Sequence, residues 1–174
     1  ARDAALNDRL RVFAVTAGLS PSPFDCWLAE RGMLSFELRF DRAQATAAIL
    51  AEHLAMLKGV KRVIYPARHD HPDHERATAL LKGQNCNMVS FEIEGSRAAA
   101  NALARGAQGL NFAPTLGDVG TTISHPASSS HRALTAEKRA ELGMSEGFFR
   151  VSVGLEDPDV LCDVFTQAVA AATT

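Results

Sequence analysis

No part of the chain limits its possible folds as tightly as residues 111–157. They read N-F-A-P-T-L-G-D-V-G-T-T-I-S-H-P-A-S-S-S-H, then a short helical stretch, then F-F-R-V-S-V-G-L-E-D. Residues 113–131 are small and polar and show neither helical nor strand periodicity, although the segments on both sides read as well folded. An irregular run of that length inside a compact domain is usually functional or disordered. Downstream, Arg150 opens R-V-S-V-G, which reads as a central, buried strand. A charge there is costly unless an anion meets it. Two partners are open at this point: the carboxylate of a ligand, or an Asp or Glu of the same chain at the strand end.

The remaining segments supply elements around that strand. Leu6, Leu10 and Phe13 mark a short helix. Ser22-Pro23 with Asp25 opens a second, through Trp27 and Leu28 to Gly32, with Trp27 read as a packing residue. Phe40, Ala43, Ala47, Leu50, Leu54 and Leu57 form an apolar stripe on a helix over about 40–58, ended by Gly59. Strands are predicted at 60–65, 88–93, 110–113 and 148–153. Helices are predicted from His71-Pro72-Asp73 to Gly83, from Ser96 to about Arg105 and from Thr135 to Gly143. The last starts at Asp157-Pro158, with Leu161, Val164, Phe165, Ala168 and Val169 on its inner face. From residue 60 the order is strand, helix, strand, helix, strand, irregular, helix, strand, helix. That order fits an α/β sheet with helices packed on one face. Residues 1–58 read as a separate helical layer or arm.

At 174 residues the chain is one domain, or one domain with an extension, and can bury a sizeable core. A net charge of -2 gives no reason to expect nucleic acid or an anionic membrane as partner. No apolar run approaches the length of a membrane span. Cys26, Cys86 and Cys162 are far apart and read as buried free thiols in a reducing cytoplasm. The chain begins A-R-D-A-A-L-N-D-R-L, without Met and in mid-pattern, which reads as the interior of a longer protein.

Three motifs invite chemistry. Residues 69–74, H-D-H-P-D-H, match an H-x-H-x-D-H zinc pattern, so a zinc hydrolase using His69, His71, Asp73 and His74 is one reading, with His125 as a further donor. Against it stand the helical character of residues 23–58 and the plain helix start at Pro72-Asp73. A solvated, His-rich helix entry is favoured and no metal is expected. Gly117-Asp118-Val119-Gly120 is too short and isolated for a phosphate loop. Ser128, Ser129, Ser130 and His131 lack the strand–turn–helix setting of a nucleophile elbow; hydroxyls serving loop backbone groups is the better reading. A non-catalytic module that binds small carboxylates through Arg150 is a further alternative.

Taken together, six pieces resemble, in order, the C-terminal part of the PLP-dependent enzymes of Cys/Met metabolism, fold-type I. They are S-P-F-D-C-W-L-A-E-R-G (22–32), Y-P-A-R-H-D-H-P-D-H (65–74), M-V-S-F-E-I (88–93), T-L-G-D-V (115–119), S-H-P-A-S-S-S-H (124–131) and R-V-S-V-G-L-E-D (150–157). The family includes cystathionine γ-synthase, cystathionine and methionine lyases and the homoserine sulfhydrylases. The resemblance implies a small α/β (α+β) domain at 59–174, with a mostly antiparallel sheet and helices on one face. Residues 1–58 would be the end of the large domain plus a long connecting helix. It implies pyridoxal phosphate in the full-length enzyme, an amino-acid substrate such as cystathionine or an activated homoserine, and a homo-oligomer, typically a tetramer. Arg150 matches the family's substrate-carboxylate arginine, and Thr115 falls where the family usually has Ser beside the substrate. None of Lys58, Lys61, Lys82 and Lys138 sits in the family's lysine motif. The cofactor lysine is therefore expected upstream, and this stretch alone is expected to bind no cofactor and to be inactive. The chain departs from the family at Arg42-Ala43, where the usual pair is R-H, and at Gly117–Thr121, where it has G-D-V-G-T for G-G-V-E-S.

Overall fold

The computed structural model describes residues 2–173. The chain divides into two compact units, residues 1–37 and 38–174. The first holds helices α1 (Ala4–Thr16) and α2 (Pro23–Leu34). Asp3 caps α1 by accepting from the Leu6 amide at 3.0 Å. A capping box closes the start of α2: Ser22 Oγ accepts from the Asp25 amide, and Asp25 accepts from the Ser22 amide. Neither helix buries a residue. Trp27 stays about half exposed and is stacked with Phe24 at 6.0 Å between ring centres. Helix α2 runs through Gly32 to Leu34, so the glycine does not end it.

The second unit begins just inside α3 (Phe36–Met56). It continues through β1 (Val60–Ile64), α4 (His74–Leu81), β2 (Met88–Ile93), α5 (Arg97–Gly106), β3 (Asn111–Phe112), β4 (Thr122–Ser124), α6 (Ala136–Glu141), β5 (Phe148–Ser152) and α7 (Pro158–Thr173). The sheet order is β1-β2-β5-β4-β3, with β5 in the middle. Every pairing is antiparallel except β3 with β4. The mostly antiparallel sheet expected from the sequence is present, and its middle strand is the one that carries Arg150.

Strand alternation gives this sheet two unlike faces. Val89, Phe91 and Ile93 of β2, Phe149 and Val151 of β5, Val153 just beyond it and Ile123 of β4 all lie in the core. Against them pack Ala47, Leu50, Ala51 and Leu54 of α3, Leu103 of α5, and Leu161, Phe165 and Ala168 of α7. Phe91 anchors this layer, stacked on Phe149 at 5.5 Å and edge-on to Phe165 at 5.8 Å. On α7, Cys162 is buried where Val164 was expected, and Val164 is half-buried. Cys26 is exposed rather than buried.

Residues 113–131 are less irregular than their sequence suggests. They contain β4, hydrogen-bonded on both sides, and a 3-10 turn at Pro126–Ser128. Three residues are too few to display an alternation. Thr122 and Ser124 are buried in spite of their polarity because their hydroxyls donate to main-chain carbonyls.

Candidate functional site

The face of the sheet turned away from the core carries the other half of the alternation: Ser90 and Glu92 from β2, Arg150 and Ser152 from β5, Thr122 and Ser124 from β4. Arg150 stands in the middle row, opposite Ser90 on one side and Ser124 on the other. It is half-buried, and its Nη2 donates to the Pro114 carbonyl at 3.1 Å. Among the described residues it forms no ion pair. The buried carboxylate of this face is Glu92. It is held by Lys61 at 3.2 Å and Arg62 at 2.6 Å, at the far end of the row. Burial pushes the Glu92 carboxyl up, but hydrogen bonds from Ser145, Lys61 and Arg62 hold it below its ordinary value. Of the two partners left open for Arg150, an acid of the same chain is therefore not the one present.

The segment 114–121 lies along this face by its backbone. Pro114 O receives Arg150, Thr115 O receives Thr122 Oγ1 at 3.2 Å, and the Gly117 amide donates to Ser152 Oγ at 3.0 Å. Its far end is fastened to the turn after β5. The Thr121 amide and Oγ1 donate to the two Glu156 carboxylate oxygens at 2.6 and 2.7 Å. Thr121 Oγ1 accepts from the Gly154 amide at 2.9 Å, and Val119 O accepts from the Leu155 amide at 2.9 Å. Gly154 makes this approach possible, since a Cβ there would stand 2.4 Å from Val119 O and 2.7 Å from the Thr121 nitrogen. Thr115 is exposed, and its hydroxyl makes no hydrogen bond among the described residues. The structure thus brings Thr115 and Arg150 to one corner, joined through Pro114. Ser152, Thr121 and Glu156 were not singled out from the sequence. The R-V-S-V-G-L-E-D run held two of them, but what they hold is decided by contacts about 35 residues away in the chain.

Beside this corner, His125 ties β4 to β5. It is 8% exposed. Its Nε2 faces the Glu146 carbonyl at 2.7 Å and its Nδ1 faces Ser128 Oγ at 2.7 Å. A carbonyl can only accept, so the ring proton is on Nε2 and Ser128 donates to Nδ1. Arg97 also donates to Ser128 Oγ. Burial holds the His125 imidazole below its ordinary value, and Arg97 and Arg139 push the same way. Glu146 is gripped by Arg97 at 2.5 Å and Arg139 at 2.7 Å, which keeps its carboxyl below the usual range. A cleft of about 180 Å³ opens between His125, Ser128, Ser129, Phe112 and Pro114. Ser129 Oγ donates to the His125 carbonyl at 2.9 Å, the backbone-serving use expected of these hydroxyls, whereas Ser128 and Ser130 are spent on the rings of His125 and His131, at 2.7 and 2.8 Å.

The zinc pattern does not assemble. His71 Nδ1 accepts from the Asp73 amide at 3.1 Å, and Asp70 is paired with Arg68 at 3.0 Å. The His69 and His74 rings pack on each other at 4.7 Å. Among the described residues, no three His, Cys, Asp or Glu side chains are grouped to hold a metal ion. Lys58, Lys61, Lys82 and Lys138 are all exposed, and Lys61 is spent on Glu92. A lysine that forms a Schiff base works from a desolvated pocket, which none of these four occupies among the described residues. No helix among the described residues is long and apolar enough to cross a membrane.

A family model described as Cys/Met metabolism PLP-dependent enzyme matches residues 1–170. The chain is 38% identical over 159 residues to an O-succinylhomoserine sulfhydrylase of Pseudomonas aeruginosa, covering 91% of this chain and 39% of that protein. It is 38% identical over 169 residues to an L-methionine gamma-lyase of Pseudomonas putida, covering 96% and 42%. Among solved structures it superposes on cystathionine gamma synthase from Xanthomonas oryzae pv. oryzae in complex with cystathionine. That match has a TM-score of 0.84 and 38% identity, over 99% of this chain and 44% of the other. The chain spans about two-fifths of the length of the curated relatives it matches.

Proposed function

The chain belongs to the Cys/Met-metabolism PLP-dependent enzymes, and on that premise we propose that it is the C-terminal part of a trans-sulfuration enzyme. The type would be cystathionine γ-synthase or cystathionine/methionine lyase, in the cytoplasm. In this reading residues 1–58 are the end of the large domain and the connecting helix, and 59–174 the small domain. The longer protein supplies the lysine and the phosphate site for pyridoxal phosphate; by itself this chain neither binds the cofactor nor turns over. When bound, that cofactor supplies an electron sink for a carbanion.

The contribution of this chain is Arg150. A guanidinium fork meets a carboxylate through two parallel N–H···O bonds, which fixes the rotation of an amino acid about its Cα. Such orientation is what cofactor chemistry needs from the protein. Thr115, with an uncommitted hydroxyl at the same corner, adds a hydrogen bond to the substrate. The substrate is cystathionine, an activated homoserine or a related amino acid. The observation that carries the reading is Arg150 itself: a half-buried arginine on the polar face of the middle strand, held among the described residues by one carbonyl and no acid. The bare apolar side chains of α1 and α2 support a homo-oligomer in which they are covered.

The test is Arg150→Ala in the full reading frame that contains this chain. Removing one partner of a desolvated carboxylate fork should cost about 2–5 kcal/mol. The loss is expected in kcat/KM for the amino acid, with pyridoxal phosphate content unchanged. Wild-type efficiency in the variant would overturn the assignment.

A further inference from the structure

We propose that Glu156 is a positioning residue whose carboxylate latches the segment 115–121 over the Arg150 corner, and so sets how tightly the amino-acid substrate is held. This rests on the reading of Arg150 and Thr115 as substrate contacts.

The latch is built from both oxygens of one side chain. Oε1 receives the Thr121 amide at 2.6 Å and Oε2 receives Thr121 Oγ1 at 2.7 Å. Thr121 Oγ1 spends its proton on Glu156 and one of its two lone pairs on the Gly154 amide, at 2.9 Å. Each group therefore has one defined role, and the arrangement has a single polarity. Thr121 is 2% exposed, so these bonds are sheltered from competing water. Glu156 is itself steadied: Arg42 of α3 donates to its main-chain carbonyl at 3.4 Å. Among the described residues no cation pairs with the carboxylate. Its hydrogen-bonding capacity goes to one residue at the end of the loop.

The segment has few other fastenings. Between Gly117, held by Ser152, and Thr121, the contacts across to β5 and its following turn are the Leu155 amide on Val119 O, the Gly154 amide on Thr121 Oγ1 and the Glu156 latch. Leu116 and Val119 are exposed and bury nothing that would hold the loop down. Asp118 only bonds the amides of its own turn, Val119 at 2.6 Å and Gly120 at 3.5 Å. Without Glu156 the stretch 118–121 would keep two bonds to the turn after β5, Leu155 N–H to Val119 O and Gly154 N–H to Thr121 Oγ1, and the loop beyond Gly117 would lie less firmly against the Arg150 corner.

The variants are Glu156→Ala, Thr121→Val and the pair together, with Glu156→Gln as the conservative form. Glutamine can still accept the Thr121 amide and donate to its hydroxyl, so it is expected to restore most of the latch. The first readout is amide exchange in the 174-residue chain. Glu156→Ala should speed exchange at Val119–Thr121 and leave β2 and β5 protected. The second is kinetics in the full reading frame. Two bonds to a charged acceptor predict a KM for the amino acid raised about tenfold or more, with kcat lowered less. Thr121→Val keeps the main-chain amide bond to Glu156 but strips the Gly154 amide of its acceptor, so the double variant should exceed Glu156→Ala by that one bond and fall short of the sum of the two single variants, which share the hydroxyl–carboxylate bond. Local exchange unchanged in Glu156→Ala, or Glu156→Gln as impaired as Glu156→Ala, overturns the latch. An unchanged KM in Glu156→Ala, when Arg150→Ala raises it, refutes the positioning role alone. If Arg150→Ala is itself silent, the functional reading fails while the exchange result still decides the latch.

Discussion

At the scale of single residues, His125 makes acid sensitivity a property of this domain. Its folded value lies below the ordinary 6.5, because burial disfavours the imidazolium. The unfolded chain therefore takes up a proton that the folded chain refuses. The stability tied to neutral His125 is complete above about pH 6.5 and falls as the pH drops below it. Glu146 is depressed instead, so its contribution is lost in a separate, lower window beneath its ordinary 4.5. In His125→Gln, whose amide can donate to Glu146 O and accept from Ser128, denaturation midpoints should change less between neutrality and mild acid. Equal slopes in both proteins would show that His125 does not set the response. Gly154 gives a second expectation. A methyl group there collides with backbone atoms at 2.4 to 2.7 Å, which no rotamer change relieves. Gly154→Ala should cost about 1–3 kcal/mol in urea unfolding. Arg150 was legible in the sequence because a charge in a strand needs an explanation wherever it occurs. Glu156 and Thr121 were not, since acids and hydroxyls are ordinary in loops, and only the fold reveals that each is the other's partner.

At the scale of elements, helices announced themselves by their caps. Ser22, Ser96 and Thr135 all cap as read, with side chains on the amides of Asp25, Ala98 and Lys138. The hidden element is β4. Its identity comes from β5 and β3 on either side rather than from T-I-S itself, which is tertiary context overriding a weak local signal. Yet Ile123 is fully buried and contributes to the central core. Ile123→Ala should therefore cost about 2–5 kcal/mol, like any large aliphatic lost from a packed interior. A surface-like loss below 0.5 kcal/mol would mean that β4 is not a working strand in solution.

At the scale of the whole molecule, the two units differ in what stabilises them. Among the described residues, the buried core lies within residues 38–174. Helices of 13 and 12 residues are marginal alone in water. These two expose Leu10, Phe13, Phe24 and Leu34 by about half or more. A chain starting at residue 38 should keep the unfolding midpoint of the complete one within a few degrees. It should also sediment as a smaller species if α1 and α2 drive association. A large drop in the midpoint would show that the first unit supports the second.

The two unlike faces of the sheet have a consequence for how such a protein can change over generations. In β2, β4 and β5 the odd-numbered positions, 89, 91, 93, 123, 149 and 151, are committed to the core, while 90, 124, 150 and 152 face the site. A substitution at an odd position is tested first by whether the chain still folds. One at Ser90 or Arg150 is tested first by what the protein does. Heritable variation in chemistry can therefore accumulate on one side of three strands without disturbing the packing beneath it, and selection for solubility and selection for substrate act on interleaved, nearly separate sets of codons.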